Sequence, residues 1–267
     1  MQDFRLRQVT LGGRRHKLAG HAEDSFLRLA GQHRRGMEEL AAVAAAAMPT
    51  PGVVVDVGAN LGLSALVLAP LASRLLLVEA APRTAQALRR TLDANGLQAE
   101  LAEVALGAAP GSLAFHQAAH SAGSHLMSEA TLGAAALAVV TVPVMTLDAL
   151  VAEYALPRVD FIKIDVEGHE TEVLDGARHT LARWQPVVML EFNAWVLQCN
   201  RAANPRQVLE DWLSRFPVAH ALRGKAPPLR LGRETLLGFL HDHLVRRGCA
   251  DELVLSQDDA WVARFRR

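Results

Sequence analysis

The stretch "VVVDVGANLGLSALVLA", Val53 to Ala69, decides the fold. Its opening "VVVDVGA" is a β-branched apolar run that reads as a buried strand, and "LSALVLA" reads as a helix stopping before Pro70. Between them lies "DVGANLG", Asp56 to Gly62. Gly58 and Gly62 allow a tight turn and close backbone approach, and the free N–H groups of the new helix favour an anionic group. Ligands of open α/β sheets bind beyond the carboxyl ends of the strands, so a cofactor is expected at this turn.

The pattern continues downstream. "RLLLVEA" reads as a second strand, "RTAQALRRTLDANG" as a helix closed by Asn95-Gly96, and "AELAEVAL" as a third strand. Gly107 to Val144 is irregular, with short strands around "SLAFHQ" and "AVVTVPV". "TLDALVAEY" is a helix, "DFIKIDVE" a strand, "ETEVLDGARHTLARW" a helix and "PVVMLEF" a strand. Strands alternating with helices require crossover connections, which predicts an α/β fold: a Rossmann-like, doubly wound, mostly parallel sheet covered on both faces.

Upstream, "FRLRQVTLGGRRHKLAG" alternates around Gly12-Gly13 as a β-hairpin, and "MEELAAVAAAAM" is a helix ending at Pro49. Residues 1–50 are therefore expected to form a cap without chemistry, and residues 51–267 the main domain. Near the end, "TLLGFLHDHLVRRG" is read as a helix with Leu236, Leu237, Leu240 and Leu244 on one face, and "ELVLS" as a last strand.

Composition narrows the function classes. With 267 residues and 51% hydrophobic content the chain can bury a full core, as one large domain with additions. Lys plus Arg and Asp plus Glu both total 28, so no global charge draws the protein to nucleic acid or to an anionic membrane. Cys199 and Cys249 are far apart and outside any CxxC pair, which argues against a zinc site and fits a reducing compartment. "MQDFRLRQVT" has no apolar signal core and no apolar run is long enough to span a bilayer, so a cytoplasmic location is expected. Only Lys17, Lys163 and Lys225 are lysines; codon bias explains the skew, yet Lys163 hints at a site preferring a compact ammonium.

Two phosphate-binding motifs are absent. A P-loop needs Lys after its last glycine, where Gly62 is followed by Leu63, and the G-x-G-x-x-G fingerprint fails because Asn60 stands two after Gly58. Glu79, ending the second strand, is placed to accept from ribose hydroxyls. The set "DVGANLG…VEA…VALG…TLDAL…DFIKIDVEGHETEVLDGA…PVVMLEFN", covering about Pro49 to Asn193, resembles the FkbM-type family of class I S-adenosylmethionine-dependent methyltransferases. That resemblance implies S-adenosylmethionine as cofactor, with Asp56, Gly58, Asn60 and Gly62 holding its methionine part, Glu79 its ribose, and the turn at Ala105 and Leu106 passing along its adenine. One departure is that Ala80 and Ala81 precede Pro82 where the second motif often reads VEP.

In the methyltransferase-like order the strand in "FIKIDVEGHE" lies beside the first and opens onto the transferred methyl. Alternation puts Phe161, Lys163, Asp165 and Glu167 on one face. Asp165, Glu167 and His169 are the catalytic candidates; His169 is the first choice as base because its pKa can sit near neutrality, with Asp165 orienting it or the acceptor. The alternative is turn and helix-dipole chemistry around Gly168 and Glu170, with Lys163 and Asp165 as a buried pair. Glu191 is a second acidic strand end, but two carboxylates are a weak metal signal and no metal is assigned. His116, His120 and His125 lie in a small-residue loop able to close over an acceptor. His241 and His243 do not face each other on a helix, and Trp195 and Trp212 read as packing or an acceptor wall.

The reading is an O-methyltransferase for a hydroxyl of a small molecule, sugar or glycan, or polyketide. Methylation of RNA or DNA is the second reading, disfavoured by balanced charge and by the absence of an Asn/Asp-Pro-Pro-aromatic strand end. A cofactor-binding module without catalysis is the third, and a nicotinamide dehydrogenase ranks last for want of the fingerprint.

Overall fold

The computed structural model describes residues 4–117, 121, 125–126 and 138–265. Strands β1 (Phe4–Leu11) and β2 (Arg14–His21) form the N-terminal hairpin, turning at Gly12 and Gly13 with φ of 54° and 73°. Helix α1 (Ser25–Leu29) starts at Asp24, whose carboxylate accepts from Phe26 N–H, and a 3₁₀ turn leads into α2 (Arg34–Ala47). The chain then alternates through β3 (Gly52–Val57), α3 (Leu63–Leu68), β4 (Ala72–Val78), α4 (Pro82–Asn95) and β5 (Glu100–Ala102). Strands β6 (Ala105–Leu106), β7 (Gly111–Gln117), β8 (His125–Leu126) and β9 (Ala138–Met145) precede α5 (Leu147–Glu153) and β10 (Phe161–Ile164). Helices α6 (Glu170–Asp175) and α7 (Arg178–Trp184) lead to β11 (Val187–Asn193). The C-terminal part runs α8 (Ala194–Arg201), α9 (Pro205–Arg215), β12 (Val218–Arg223), β13 (Ala226–Arg230), α10 (Leu236–Arg246), β14 (Ala250–Ser256) and α11 (Ala260–Arg264).

The main sheet has the order β13-β12-β14-β11-β10-β3-β4-β5. Pairing is parallel from β5 through β11, while β14 and β13 run against their neighbours. From β3 the chain builds outward through β4 and β5, then crosses back to lay β10 and β11 on the other side. The strand order therefore reverses at the β3/β10 junction, the place where such sheets bind ligands. This is the Rossmann-like doubly wound sheet predicted above.

Alternation distributes the core. Val53, Val55, Val57, Ile162 and Ile164 face one layer, with Leu147, Leu150 and Val173. Val54 and Phe161 face the other, with Leu40 and Val43 of α2 and Trp261 of α11. Each such side chain removed from water contributes about 1.5–3 kcal/mol, so β3 and β10 are held firmly enough to carry the polar pair Asp56 and Lys163, which sit opposite each other in register. The hairpin packs Val9, Leu11 and Leu18 with Phe26 and Leu27 against Leu61, Leu63 and Leu66, so cap and glycine turn share a core.

Several expectations need correction. The "AELAEVAL" strand divides into β5 in the main sheet and β6 in a separate sheet of order β6-β9-β7-β8. The "ETEVLDGARHTLARW" helix is two helices broken at Gly176-Ala177. A Cβ at Gly176 would lie 2.2 Å from the Gly107 carbonyl oxygen, and the Asp148 carboxylate accepts from His179 N–H (2.9 Å) and Thr180 N–H (2.7 Å), starting α7 afresh. On α10 the buried face is Leu236, Phe239, Leu240 and His243, leaving Leu237 and Leu244 exposed. Strand β10 ends at Ile164, so strict alternation does not extend to Glu167. The unassigned segment after β11 supplies α8, α9 and the β12–β13 hairpin, whose Pro227 and Pro228 fit the sheet's edge. Among the described residues no helix is long and apolar enough to cross a membrane.

Candidate active site

The glycine turn is held by its neighbours on both sides. Gly58 N–H and Ala59 N–H both donate to the Val78 carbonyl, at 2.9 and 3.0 Å. Gly58, Asn60 and Gly62 all have positive φ, at 81°, 51° and 92°. A Cβ on Gly58 would stand 1.9 Å from the Asp165 carbonyl oxygen, so only glycine lets β3 pass this close to the end of β10. Glu79 closes the turn from β4: its Oε2 accepts from Asn60 N–H and its Oε1 from Ala81 N–H, both at 2.9 Å. Burial nevertheless pushes the Glu79 carboxyl up to about 7, against the pull of those two N–H groups.

Beneath the turn, Asp56 is fully buried and accepts from Ser64 Oγ at 2.5 Å. Its burial raises its pKa, which Lys163 and Ser64 oppose. Lys163 Nζ lies 3.6 Å from Asp56 Oδ1, 3.2 Å from Asp165 Oδ2 and 3.4 Å from the Gly58 carbonyl. Burial would lower this ammonium, but Asp165, Asp56 and Glu252 outweigh it and hold Lys163 above its ordinary value. One cation thus ties the glycine turn to the start of the "DVEGHE" loop.

That loop is shaped by Glu170. Its Oε1 accepts from Val166 N–H at 3.1 Å and Gly168 N–H at 3.2 Å, folding the chain back over the first turn of α6. The fold-back puts Glu167 in the left-handed region at φ 55°, a conformation that costs a residue with a Cβ about 1–2 kcal/mol. Glu167 is turned towards the sheet's carboxyl rim, and burial with the neighbouring Asp165 and Glu170 charges raises its carboxyl to about 8.

A single cavity of about 420 Å³ collects these groups, within the range of small-molecule sites. Of the residues expected to bind cofactor, Gly58, Asn60, Glu79, Ala105 and Leu106 line it; Asp56 lies beneath and Gly62 shapes the turn without lining it. Of the catalytic candidates, Asp165 and Glu167 line it and His169 does not. His169 is buried behind the loop, its Nδ1 3.6 Å from Glu172 Oε2, and burial lowers its pKa to about 4. His169 thus stands outside the cavity, where its first choice as base would have placed it inside. The cause is the left-handed Glu167, which turns the chain away from strand alternation two residues earlier.

Other lining groups carried no sequence signal. Phe26, Gln32, His33, Gly36 and Met37 come from the cap, which was expected to hold no chemistry. Glu252 stands opposite Glu191 in the β11/β14 register, and both line the cavity. That neighbour relation joins strands far apart in sequence and could be read only from the pairing. Burial raises Glu252 to about 7, and Glu191 also rises well above its usual range. Trp195 is exposed and Trp212 is buried, donating from Nε1 to Thr171 Oγ1, and neither lines the cavity. His243 is buried against Asp251 while His241 is exposed. His120 lies outside the described residues; His116 and His125 are register partners in β7 and β8, with side chains also outside them. Among the described residues no group of three His, Cys, Asp or Glu is placed to hold a metal ion.

The donor set fits S-adenosylmethionine. The wall is rich in acceptors for ribose hydroxyls and for a cationic ligand, and Asn60 Oδ1 is buried there with no hydrogen-bond partner among the described residues. Comparison with known proteins agrees: the family model described as the methyltransferase FkbM domain matches residues 56–215. No curated protein matches the chain. Among solved structures, it is similar to an FkbM methyltransferase from Methylobacillus flagellatus, at 17% identity over 77% of this chain and 43% of that one, TM-score 0.46. It is similar to the Thermus thermophilus 16S rRNA N2 G1207 methyltransferase solved with AdoMet and guanosine, at 14% identity over 97% and 52%, TM-score 0.47. A Streptomyces achromogenes O-methyltransferase solved with SAM is 12% identical over 82% and 79%, TM-score 0.44. The chain spans about half the length of the first two.

Proposed function

Since the chain belongs to the FkbM family of S-adenosylmethionine-dependent methyltransferases, we propose that it methylates a hydroxyl group on a small molecule, a sugar or glycan, or a polyketide, with residues 1–50 as a cap on the catalytic domain. When bound, S-adenosylmethionine supplies a methyl group activated by a sulfonium. The chain's part is to hold, orient and deprotonate. Glu79 is assigned the ribose hydroxyls, and the Asn60 amide a polar group of the cofactor. Asp165, fixed by Lys163, orients the acceptor, and Glu167 receives the hydroxyl proton. His169 serves to pack the loop.

The observation that carries this reading is Glu167 itself. A carboxyl held in a costly backbone conformation, facing the cavity and raised to about 8, has the basicity a general base needs near neutrality. Glu167→Gln is expected to keep binding of S-adenosylhomocysteine, measured by calorimetry, and to lower turnover about 10²–10⁴-fold. Wild-type turnover should rise with pH through about 8 as Glu167 ionises. Unchanged turnover in the variant removes Glu167 as base. Cofactor binding with no transfer to any of a panel of sugar, glycolipid and polyketide alcohols returns the protein to the binding-module reading.

A further inference from the structure

Glu170 is the most deeply buried acidic residue of the loop after β10, at 2% exposure, and the methyl-transfer scheme above gives it no part. Its Oε1 accepts from Val166 N–H at 3.1 Å and from Gly168 N–H at 3.2 Å. Among the described residues no Arg, Lys or His pairs with it, whereas two residues on, Glu172 takes Arg201 and lies 3.6 Å from His169 Nδ1. A glutamine could accept from the same two N–H groups without the cost of taking a carboxylate out of water. An ionisable group kept where an amide would serve points to a use for its charge.

The two N–H groups identify what that charge acts on. Val166 and Gly168 are the immediate neighbours of Glu167, so one oxygen of Glu170 holds the chain on both sides of it. From the other direction α8 closes in on Gly168, where a Cβ would lie 2.9 Å from Val196 Cγ1 and 3.1 Å from Arg201 Cγ. The bend that keeps Glu167 at φ 55° is thus clamped from within and from without, as a costly conformation must be to persist. We propose that Glu170 is a positioning residue for methyl transfer: through the N–H groups flanking Glu167 it fixes that side chain at the cavity rim, and it sets a negative charge beside it. This rests on the reading of Glu167 as the base. Glu170 and Asp165 both keep Glu167 protonated to higher pH, Lys163 acts the other way, and Glu191 is close enough to be raised by Glu167 in turn. Burial brings Glu170 to about 7 and Glu167 to about 8, so the Glu170 charge is in place before Glu167 ionises. A carboxylate raised in this way takes a hydroxyl proton more readily than an ordinary glutamate does.

The full chain with isotope-labelled glutamate carboxyls is titrated by carbon NMR, the Glu167 signal being identified by its loss in Glu167→Gln; no methyl acceptor is needed. In the wild type the Glu167 midpoint is expected at about 8. Glu170→Gln keeps an acceptor for both N–H groups and removes only the charge, so it should lower that midpoint by about half a unit or more. A purely structural Glu170 would leave it where it is. Glu170→Ala releases the bend and should return the midpoint towards 4.5. On whichever alcohol of the panel accepts the methyl group, it should also lower turnover about tenfold or more, with S-adenosylhomocysteine binding retained because Glu170 does not line the cavity. Should the alanine variant unfold by circular dichroism, the glutamine variant decides. A midpoint unmoved in Glu170→Gln, or still near 8 in Glu170→Ala, overturns this proposal alone. Full turnover in Glu167→Gln overturns the base reading and this proposal with it.

Discussion

At the scale of single residues, position 58 shows how strictly the site is specified. Gly58→Ala would put a methyl group 1.9 Å from the Asp165 carbonyl in a left-handed conformation, so the two strand ends must separate. A loss of roughly 2–5 kcal/mol is expected, visible as a lower melting temperature, together with loss of S-adenosylhomocysteine binding. An unchanged melting temperature would mean that the strand ends do not meet as described. Such a glycine is legible in sequence because its requirement is local, a turn between strand and helix. The placement of His169 was not, because it depends on Glu170 reaching back to Val166 and Gly168 and turning Glu167 left-handed. Nothing in the order of residues distinguishes that hairpin bend from a strand that simply continues.

Among the elements, parallel strands and their helices were readable where the apolar run and its stop signal were adjacent, as in β3–α3 and α4 with Gly96. Breaks imposed by a distant partner were hidden. The gap between α6 and α7 arises because Gly176 meets Gly107 and Asp148 supplies a new start. Asp148→Ala removes both acceptors from the His179 and Thr180 N–H groups and is expected to cost about 1–2 kcal/mol in denaturant unfolding. Cofactor affinity should stay unchanged, since Asp148 is not among the residues lining the cavity. A change in affinity would show that α7 helps set the site.

For the whole molecule, the buried carboxyls of the cavity and of the loop behind it make stability depend on pH. Glu79, Glu170 and Glu252 are raised to about 7 and Glu167 to about 8, from an ordinary 4.5. Above 4.5 the folded chain therefore holds protons there that the unfolded chain has lost, and this stabilisation disappears as pH rises through the raised values. Below 6.5 the lowered pKa values of His16, His21, His169 and His220 act in the opposite sense. The clean window is from 6.5 to just above 8, where the melting temperature of the cofactor-free protein should decline. A flat or rising profile across it would show that these carboxyls are better solvated than their burial indicates.

The position of β14 also sets an order of events during synthesis. Among the described residues it is the last strand in sequence, yet it lies between β11 and β12, and Glu252 on it lines the cavity. The residues of the glycine turn and Glu79 emerge with β3 and β4 and their brace, Lys163 and Asp165, with β10, whereas the wall opposite Glu191 waits for residues 250–256. A nascent chain on the ribosome can thus assemble the part of the pocket assigned to the methyl donor long before it can close the other, and until β14 arrives the β12–β13 hairpin has no neighbour in the sheet.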